Sequence, residues 1–271
     1  MNMHRRPPTV IPEHAAFSTV AVRRVHHWND HLFSFSIERP ASFRFRSGEF
    51  VMLGLPGAER PLMRAYSIAS PSYADELDFL SIKVPDGPLT SKLQQIEPDD
   101  QVYLARKPTG TLVSEALLPG QRLFLFATGT GLAPFLSIVR DPDIYDAFGQ
   151  IILVHCGRRV DDLAYRDVLE AQLAGDPLVS DQALLQFHYI PTVTRDAFHT
   201  TGRIQGLIDQ GRLFAAPVSG PQVLDPANDR VMLCGSTDMI RDLSGRLDGL
   251  GFTEGSNARP GEYVVERAFV G

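Results

Sequence analysis

Four consecutive residues, Arg64-Ala65-Tyr66-Ser67, bring three kinds of chemistry together just before a strand-like run. The arginine can bind a phosphate, the tyrosine ring offers a flat stacking surface, and the serine hydroxyl can donate a hydrogen bond. A flavin nucleotide needs all three contacts. The same residues also fit an edge strand with a surface arginine and a core tyrosine, so other segments of the chain must decide between the two interpretations.

A second candidate site follows an apolar run that ends at Ala127. The run leads into Thr128-Gly129-Thr130-Gly131, and Pro134 falls in the first turn of the expected helix, where its missing N–H costs nothing. Glycines at this place let a pyrophosphate approach the backbone and the helix N-terminus. The segment is not a G-x-G-x-x-G fingerprint, and a plain tight turn between a strand and a helix fits it about as well.

Basic and hydroxyl side chains follow the next two strand-like runs. They are Arg158, Arg159, Thr194, Arg195 and Arg203. In a dinucleotide-binding sheet, an acidic residue after the second strand bonds the ribose 2′-hydroxyl, whereas arginine accommodates a 2′-phosphate. The arginines therefore favour NADP(H), held by charge-assisted hydrogen bonds. The alternative is that they solvate the rim of the sheet, and the neighbouring Asp161-Asp162 lowers the local positive charge.

The fourth apolar run ends in Cys234-Gly235-Ser236-Thr237. Ser236 or Thr237 can cap the following helix, because a side-chain oxygen there accepts a hydrogen bond from a free backbone N–H. A cysteine in this context is more often a small core residue than a reactive group. Its position at the carboxyl end of a strand, beside the expected ligand crevice, favours a functional role.

Short strands separated by turns are predicted over residues 17–110. Phe33–Ile37 alternates apolar and polar residues, as a half-buried strand does, and Phe50–Leu53, Leu77–Val84 and Gln101–Ala105 continue the pattern. One short helix is expected here, at Leu89–Ile96. These features predict a small antiparallel β-barrel.

The pattern changes after residue 120, where apolar runs become continuous. Such runs, which fit strands buried on both faces of a parallel sheet, occur at Arg122–Ala127, Ile151–Val154 and Val231–Cys234, with a less apolar one at Leu184–Ile190. Between them, apolar residues recur at helical spacing: Tyr165, Leu169 and Leu173, then Ile240, Leu243, Leu247 and Leu250. Alternating strands and helices predict a doubly wound α/β domain.

Length and composition exclude several classes of protein. The chain has 271 residues, enough for two cores, and its net charge of −6 argues against nucleic acid or an anionic membrane as the main partner. Its two cysteines, Cys156 and Cys234, are too few for a resident iron–sulfur cluster, and neither a disulfide nor a metal site is expected. No apolar run has membrane-spanning length, and the N-terminus lacks the apolar core of a secretory signal. We therefore expect a cytoplasmic monomer with a flexible tail at residues 1–16.

Together the motifs resemble those of the ferredoxin–NADP⁺ reductases. The motifs, in the order found in that family, are Arg64-Ala-Tyr-Ser67, Leu80-Ser-Ile-Lys-Val84, Asp86-Gly-Pro-Leu-Thr-Ser91, Thr128-Gly-Thr-Gly-Leu-Ala-Pro134 and Cys234-Gly-Ser236. The likeness is greatest to the bacterial type that also uses flavodoxin, and it covers nearly the whole chain from about residue 17. It implies an FAD-binding barrel at residues 17–112 and an NADP(H)-binding α/β domain at residues 113–271, whose C-terminal segment reaches the flavin.

The resemblance implies a role for each matching residue. Toward FAD, Arg64 would bind the pyrophosphate, Tyr66 would stack on the isoalloxazine ring, and Ser67 would face its reactive N5 edge. The other implied FAD contacts are Ala65, Lys83, Val84, Gly87, Pro88, Leu89, Thr90 and Thr130. Toward NADP(H), Cys234 would stand near the nicotinamide ring. The other implied NADP contacts are Thr128, Gly129, Gly131, Arg158, Arg159, Thr194, Arg195, Arg203, Gly235 and Asp238.

The C-terminus departs from the plant-type pattern, which ends on a tyrosine that covers the second face of the flavin. Here Glu266-Arg267-Ala268 occupies those places and Phe269 follows. Because Ala268 cannot stack, access of the nicotinamide is expected to be less blocked. In the bacterial subgroup the aromatic residue at the place of Phe269 packs on the adenine of FAD. Glu266 is either a charge or proton partner near the nicotinamide or a surface glutamate, so the candidate catalytic residues are Ser67, Cys234, Glu266 and Ala268.

The activity that the resemblance implies is exchange of hydride with NADP(H) and of single electrons with ferredoxin or flavodoxin, with FAD as converter. Since the chain lacks cluster-binding cysteines, the carrier must be a separate protein, bound by a local basic face for which Arg44, Arg46, Arg64 and Lys107 are candidates. Bacterial members often serve biosynthesis or oxidative-stress defence. Two alternatives remain open: an NAD(P)H-dependent reductase component of an oxygenase, and a non-catalytic flavin-binding redox sensor.

Overall fold

Six strands form the first sheet of the protein, which is described over residues 6–267 by a computed structural model. They are β1 (Phe17–His27), β2 (Leu32–Glu38), β3 (Phe50–Leu55), β4 (Leu62–Ser67), β5 (Glu76–Ile82) and β6 (Gln101–Ala105). The sheet is antiparallel, with the order β4-β3-β6-β1-β2-β5. The loop after β4 returns to β5, where the N–H of Ala69 donates to the carbonyl of Asp78 at 2.8 Å. The predicted antiparallel barrel is therefore confirmed.

Strand β2 illustrates why this sheet forms. Phe33, Phe35 and Ile37 point into the barrel core and are at most 2% exposed. Ser34 and Ser36, on the other face, are buried as well. The indole N–H of Trp28 donates to Ser34 at 3.1 Å, and Ser36 donates to the carboxylate of Asp78. The strand is thus covered on both faces, which alternation alone does not predict.

Five parallel strands form the second sheet. They are β7 (Arg122–Thr128), β8 (Gln150–Gly157), β9 (Phe187–Val193), β10 (Asp229–Gly235) and β11 (Tyr263–Arg267), in the order β11-β10-β7-β8-β9. The chain builds outward from β7 through β8 to β9, then crosses to the other side of β7 with β10 and β11. At such a reversal, the carboxyl ends of the strands open a crevice in which α/β sheets bind ligands.

Helices cover both faces of the parallel sheet. They are α2 (Leu132–Ile138), α3 (Pro142–Ala147), α4 (Arg166–Glu170), α5 (Ser180–Gln186), α6 (Ile204–Asp209) and α7 (Thr237–Gly249), while the short α1 (Thr90–Leu93) belongs to the barrel. Alternate residues of β7 enter different apolar clusters, Leu123 and Leu125 on one face and Phe124 and Phe126 on the other. This double burial explains the continuous apolar runs and confirms the doubly wound class. Within residues 6–267, none of the helices has the length and apolar character needed to cross a membrane.

Two predicted elements differ in extent. The run Leu184–Ile190 is not one strand, because α5 continues to Gln186 and Leu184 and Leu185 are 64% and 78% exposed. The helix predicted through Tyr165, Leu169 and Leu173 is only the short α4. Tyr165 before it and Leu173 after it have φ of 60° and 57°, in the left-handed region that a helix cannot include.

The segment before β1 lies against the barrel from residue 6 onward. Arg6 forms an ion pair with the buried Asp100, and Thr9 N donates to the same carboxylate at 2.7 Å. The hydroxyl of Tyr103 donates to the carbonyl of Pro12 at 2.8 Å. These contacts hold residues 6–12 on the barrel, whereas the sequence predicts a flexible tail for residues 1–16.

Candidate active site

A cleft opens between the barrel and the carboxyl end of the parallel sheet. It encloses about 810 Å³ of space, the open solvent at its mouth included. It is lined by Arg64, Ala65, Tyr66, Ser67, Leu80, Ser81, Ile82, Val84, Gly87, Pro88, Leu89, Thr90, Thr130, Ala133 and Cys234. Four segments that are distant in sequence and carry predicted site residues therefore meet in one place.

Strand β4 delivers the Arg64–Ser67 motif to the cleft. Tyr66 is only 8% exposed, and its ring meets Phe35 and Phe79 edge to face at centroid distances of 6.2 and 6.3 Å. Burial raises the pKa of the Tyr66 hydroxyl, which an interaction with Ser81 partly offsets. The ring is therefore a neutral and rigid wall. Arg64 is half-buried and donates to the carbonyl of Met63 at 2.9 Å.

A tight turn before α1 forms a second wall. The N–H of Gly87 and the hydroxyl of Thr90 both bond the carbonyl of Val84, at 3.1 and 3.3 Å. A Cβ at position 87 would lie 2.1 Å from the Thr90 oxygen, so a side chain here would displace the hydroxyl that lines the cleft. Glycine at this position leaves room for the Thr90 hydroxyl.

The turn after β7 and the end of β10 form the wall opposite the barrel. Thr128 Oγ1 accepts a hydrogen bond from Ser236 N at 2.8 Å, and Ser236 in turn caps α7 by accepting from Met239 N. A Cβ on Gly131 would lie 2.2 Å from the carbonyl oxygen of Cys234. The two strand ends are thus packed backbone to backbone, which places Thr130 and Cys234 side by side in the cleft.

Cys234 and Glu266 are partners across β10 and β11. Cys234 is 2% exposed, and burial together with the charge of Glu266 raises the pKa of its thiol far above the usual range, so the group stays protonated. The carboxylate of Glu266 accepts from Thr111 N at 3.3 Å, while the Thr111 hydroxyl donates to Val265 O at 2.8 Å. The remaining C-terminal candidates, Ala268 and Phe269, lie outside the described residues.

The basic candidates meet at the carboxyl ends of β8 and β9. Backbone bonds join the two strand ends: Arg195 N donates to Arg158 O at 2.8 Å and Thr194 N to Gly157 O at 3.2 Å. All five candidate side chains are exposed: Arg158, Arg159, Thr194, Arg195 and Arg203. Burial raises the pKa of Cys156 to about 11, and the charge of Arg203, at the start of α6, opposes that shift. Within residues 6–267 none of these four arginines forms an ion pair, so their charges remain available to an anion.

Some predicted residues lie elsewhere. The ammonium group of Lys83 donates a hydrogen bond to the carbonyl of Asn29, and Lys83 does not line the cleft. Asp238, in the first turn of α7, is exposed and forms an ion pair with Arg241 at 2.9 Å. Gly129 lies in open space with φ of 55°, and Gly235 serves the packing of the two strand ends, since its Cβ would lie 2.1 Å from Thr128 Oγ1.

The cleft also includes residues that the motifs alone do not indicate. Leu80, Ser81 and Ile82 line it from β5, and Ala133 lines it from α2. All four fall inside segments that resemble the family, but only the return of the chain from β4 to β5 brings the first three to the cleft. Ala133 has no chemical signature and could be placed only by the turn before α2.

Comparison with known proteins places this cleft in a family. Residues 19–113 match the family model for an oxidoreductase FAD-binding domain, and residues 125–245 match that for an oxidoreductase NAD-binding domain. A ferredoxin–NADP reductase A of Sorangium cellulosum is 49% identical over 94% of this chain and 91% of its own length. A flavodoxin/ferredoxin–NADP reductase of Rhodobacter capsulatus is 47% identical over 98% of this chain and 96% of its own. The chain belongs to the ferredoxin–NADP reductase family.

A solved relative agrees in fold as well as in sequence. The crystal structure of a ferredoxin NADP⁺ reductase from Neisseria gonorrhoeae, with bound FAD and NADP, superposes with a TM-score of 0.85 and 30% identity, covering 94% of this chain and 100% of the other. The resemblance found in the motifs is therefore confirmed. The protein is an oxidoreductase of the ferredoxin–NADP reductase family that uses FAD and a nicotinamide nucleotide.

The cleft of this reductase fits FAD on its own geometry. Its walls are mostly apolar, with one cation at Arg64, one rigid ring at Tyr66 and hydroxyls at Ser67, Ser81 and Thr90. Ligand sites of this class combine such apolar walls with a few placed polar groups. The side-chain-free turn at Gly87 leaves room for the Thr90 hydroxyl at the cleft wall.

Proposed function

We propose that the chain transfers electrons between NADP(H) and a separate ferredoxin or flavodoxin through bound FAD. The observation that carries this proposal is the meeting of the Arg64–Ser67 wall with Thr130 and Cys234 in one cleft. The first wall suits a flavin ring and the second stands at the switch point of a parallel sheet, where a nicotinamide nucleotide binds. The relatives from Sorangium cellulosum and Rhodobacter capsulatus support the same activity by their names.

The two halves of the chain divide the binding. Residues 17–112 would hold FAD, with Arg64 and the Gly87–Thr90 turn at the pyrophosphate and Tyr66 against the isoalloxazine ring. Residues 113–271 would hold NADP(H), and the matches at residues 19–113 and 125–245 support this division. When bound, FAD supplies the conversion between two-electron and one-electron transfer.

The residues of the reductase contribute alignment and a dry, neutral surface. Tyr66 is fixed in the barrel wall, and the backbone contact of Gly131 with Cys234 fixes the opposite wall. Ser67, Cys234, Glu266 and Ala268 are the candidate catalytic residues. Cys234, protonated and buried, offers a compact surface beside the nicotinamide, while Thr111 holds the Glu266 carboxylate at the edge of the cleft wall. Such fixed positions shorten the approach of reacting atoms without any movement at the moment of transfer.

The exposed arginines support a preference for the 2′-phosphate of NADP(H). Arg158 and Arg195 follow the adjoining ends of β8 and β9, Arg203 lies at the start of α6, and all three lack carboxylate partners within residues 6–267. Charge-assisted hydrogen bonds to a phosphate dianion use exactly such unpaired guanidinium groups. An NAD-specific enzyme would carry an acidic residue at the place of Arg158.

The electron carrier would bind a basic part of the surface. Arg44, Arg64 and Lys107 have no ion-pair partner in the described part of the chain, whereas Arg46 is paired with Glu49 at 2.9 Å and with Glu115 at 3.6 Å. Arg46 is therefore a weaker candidate than the other three. We further propose a monomer that works in the cytoplasm, with biosynthesis or oxidative-stress defence as its setting.

The test is anaerobic reduction of the purified protein. We expect yellow protein whose flavin absorbance is bleached much faster by NADPH than by NADH, and which then reduces the ferredoxins and flavodoxins of its own organism. Absence of flavin, or equal rates with both nucleotides, would contradict the proposal. Rapid bleaching without transfer to any of these carriers would favour the oxygenase-reductase alternative.

A further inference from the structure

The loop that carries Arg158 and Arg159 is held by carboxylates at three consecutive backbone N–H groups. Asp162 Oδ2 accepts from Arg158 N at 3.1 Å and from Arg159 N at 2.9 Å, and Asp196 Oδ2 accepts from Val160 N at 2.9 Å. These N–H groups are therefore not available to a ligand. In this loop (residues 158–162), residues 158–160 can therefore bind an anion only through the arginine side chains, whose directions depend on the backbone that Asp162 holds.

The barrel completes the support of this loop. Asn29, in the turn between β1 and β2, donates its side-chain amide to Asp161 O at 2.8 Å and to Asp162 Oδ1 at 3.4 Å. Both oxygens of the Asp162 carboxylate are thus engaged, one by the loop backbone and one by the barrel. The Asp162 carboxylate therefore accepts hydrogen bonds from N–H donors and does not form an ion pair with the arginine side chains.

Asn29 is itself fixed. Its Oδ1 accepts from His31 N at 2.7 Å and from Leu32 N at 2.8 Å, and its carbonyl accepts from the ammonium group of Lys83. The amide therefore points at the loop from a rigid turn. A hydrogen-bonded path runs from β5 of the barrel through Asn29 and Asp162 to the backbone of Arg158 and Arg159.

We propose that Asn29 is a positioning residue for the 2′-phosphate loop, acting through Asp162. This proposal rests on the proposed function, since it assumes that the arginines bind the 2′-phosphate of NADP(H). It adds that selectivity between NADP(H) and NAD(H) depends on a contact made by the other half of the molecule. Loss of this contact weakens recognition of the phosphate and leaves recognition of the rest of the nucleotide in place.

Substitution Asn29→Ser isolates the contact. A serine hydroxyl keeps an acceptor for the turn around His31 and Leu32 but cannot reach Asp161 or Asp162. The matched control is Tyr73→Phe, which removes another hydrogen bond between the two halves, from the Tyr73 hydroxyl to Asp176 at 2.8 Å, without touching the loop. Asn29→Ala, which loses the turn acceptor as well, separates the role of the amide from that of the turn.

Binding is measured by calorimetry on the FAD-loaded protein, with 2′-phospho-AMP and 5′-AMP as probes. For Asn29→Ser we expect the Kd for 2′-phospho-AMP to rise about three- to tenfold, the effect of one lost hydrogen bond, while that for 5′-AMP changes less than about twofold. The KM for NADPH should rise in parallel, with the effect falling on KM rather than on kcat. Tyr73→Phe should leave both Kd values within about twofold of the wild type.

Three outcomes would overturn the inference. One is unchanged 2′-phospho-AMP binding by Asn29→Ser in a protein whose wild type discriminates between the two probes. The second is an equal loss in Tyr73→Phe, which would indicate general loosening between the halves. The third is weaker binding of 2′-phospho-AMP in Asn29→Ala but not in Asn29→Ser, which would assign the effect to the turn. If the wild type itself failed to prefer 2′-phospho-AMP, the proposed NADP(H) specificity would fail first, and the inference with it.

Discussion

Among single residues, Arg203 carries the sharpest prediction about specificity. It is exposed at the start of α6, close enough to Cys156 to influence that thiol, and has no carboxylate partner in the described chain. Replacing Arg203 with alanine should lower kcat/KM for NADPH roughly 10- to 150-fold, because a charge-assisted hydrogen bond to phosphate is worth about 1.5–3 kcal/mol. Steady-state kinetics with NADPH and NADH measure the effect.

The control for this prediction is Arg212→Ala. Arg212 is also an exposed arginine of the α/β half, but its guanidinium bonds the carbonyls of Thr201 and His199, at 3.4 and 3.5 Å. Its loss should leave the preference for NADPH in place. If both variants lost the same factor, the effect would come from net charge rather than from a phosphate contact at Arg203.

The buried His155 predicts a pH dependence of stability. It is fully buried on β8 with its Nδ1 3.1 Å from the Tyr189 hydroxyl, and burial lowers its pKa to about 4 against the opposing charge of Asp162. The unfolded chain binds this proton near pH 6.5 and the folded protein only near pH 4. His155 therefore does not reduce the free energy of unfolding above about pH 6.5, and it lowers that free energy by roughly 3 kcal/mol as the pH drops to about 4.

Urea unfolding at a series of pH values tests this behaviour. The His155→Gln variant should be less stable at neutral pH but should lose less of its remaining stability between about pH 6.5 and 4. His188 keeps part of the slope in this variant, since burial lowers its pKa as well. The exposed His31, replaced by glutamine, serves as control and should retain the wild-type slope. An unchanged slope in His155→Gln would refute the assignment.

At the scale of elements, the contact between the β7 turn and the end of β10 fixes the cleft wall that lies opposite the barrel. A Cβ at Gly131 would meet the Cys234 carbonyl oxygen at 2.2 Å, and the flanking Thr130 and Cys234 both line the cleft. Gly131→Ala should push the turn away from β10, costing about 1–3 kcal/mol of stability and at least about tenfold in kcat/KM.

Gly245→Ala is the matched control for this prediction. Gly245 lies in the interior of α7, is exposed, and has no atom within 4 Å of a built Cβ. Alanine there should leave activity unchanged and raise stability by about 0.5–1 kcal/mol through helix propensity. Thermal unfolding and NADPH kinetics of the two variants together separate the steric effect from the substitution itself. Full activity in Gly131→Ala would contradict the role of the contact.

Elements buried on both faces were the ones that the sequence predicted best. The runs predicted at Arg122–Ala127, Ile151–Val154 and Val231–Cys234 lie within β7, β8 and β10, because double burial leaves a continuous apolar pattern. The run from Leu184 was assigned wrongly at its start, since those leucines are exposed on α5. An apolar run in the sequence indicates burial only where other elements of the folded protein pack against it.

Contacts between distant segments were beyond reach of the sequence. The resemblance to the family implies that Arg64–Ser67 and Cys234 belong to one site, but it does not reveal that Lys83 turns toward Asn29 instead of the cleft. Nor does it show that the Asp162 carboxylate accepts hydrogen bonds from backbone N–H groups and does not pair with the side chains of Arg158 and Arg159. Both facts depend on loops whose conformation is set by packing, not by local preference.

For the whole molecule, alignment of the two halves depends on several separate contacts between them. Thr111 bonds Glu266, Asn257 donates to Gly110 O at 2.9 Å, and Tyr73 bonds Asp176 on another side. Apolar packing joins them where Ala69 and Leu80 of the barrel enter the core of the α/β half. Contacts on several sides restrict hinge motion, as transfer between two bound nucleotides requires.

The one tryptophan of the chain gives this arrangement an optical reporter. Trp28 of the barrel packs on Tyr165 of the α/β half, with ring centroids 4.7 Å apart. Replacing Tyr165 with asparagine, which tolerates its φ of 60°, should expose the indole ring, shifting its emission to longer wavelength and increasing quenching by acrylamide. Tyr165→Phe keeps the ring and should retain the wild-type spectrum at matched flavin content. An unshifted spectrum in Tyr165→Asn would mean that the two halves do not meet at Trp28 in solution.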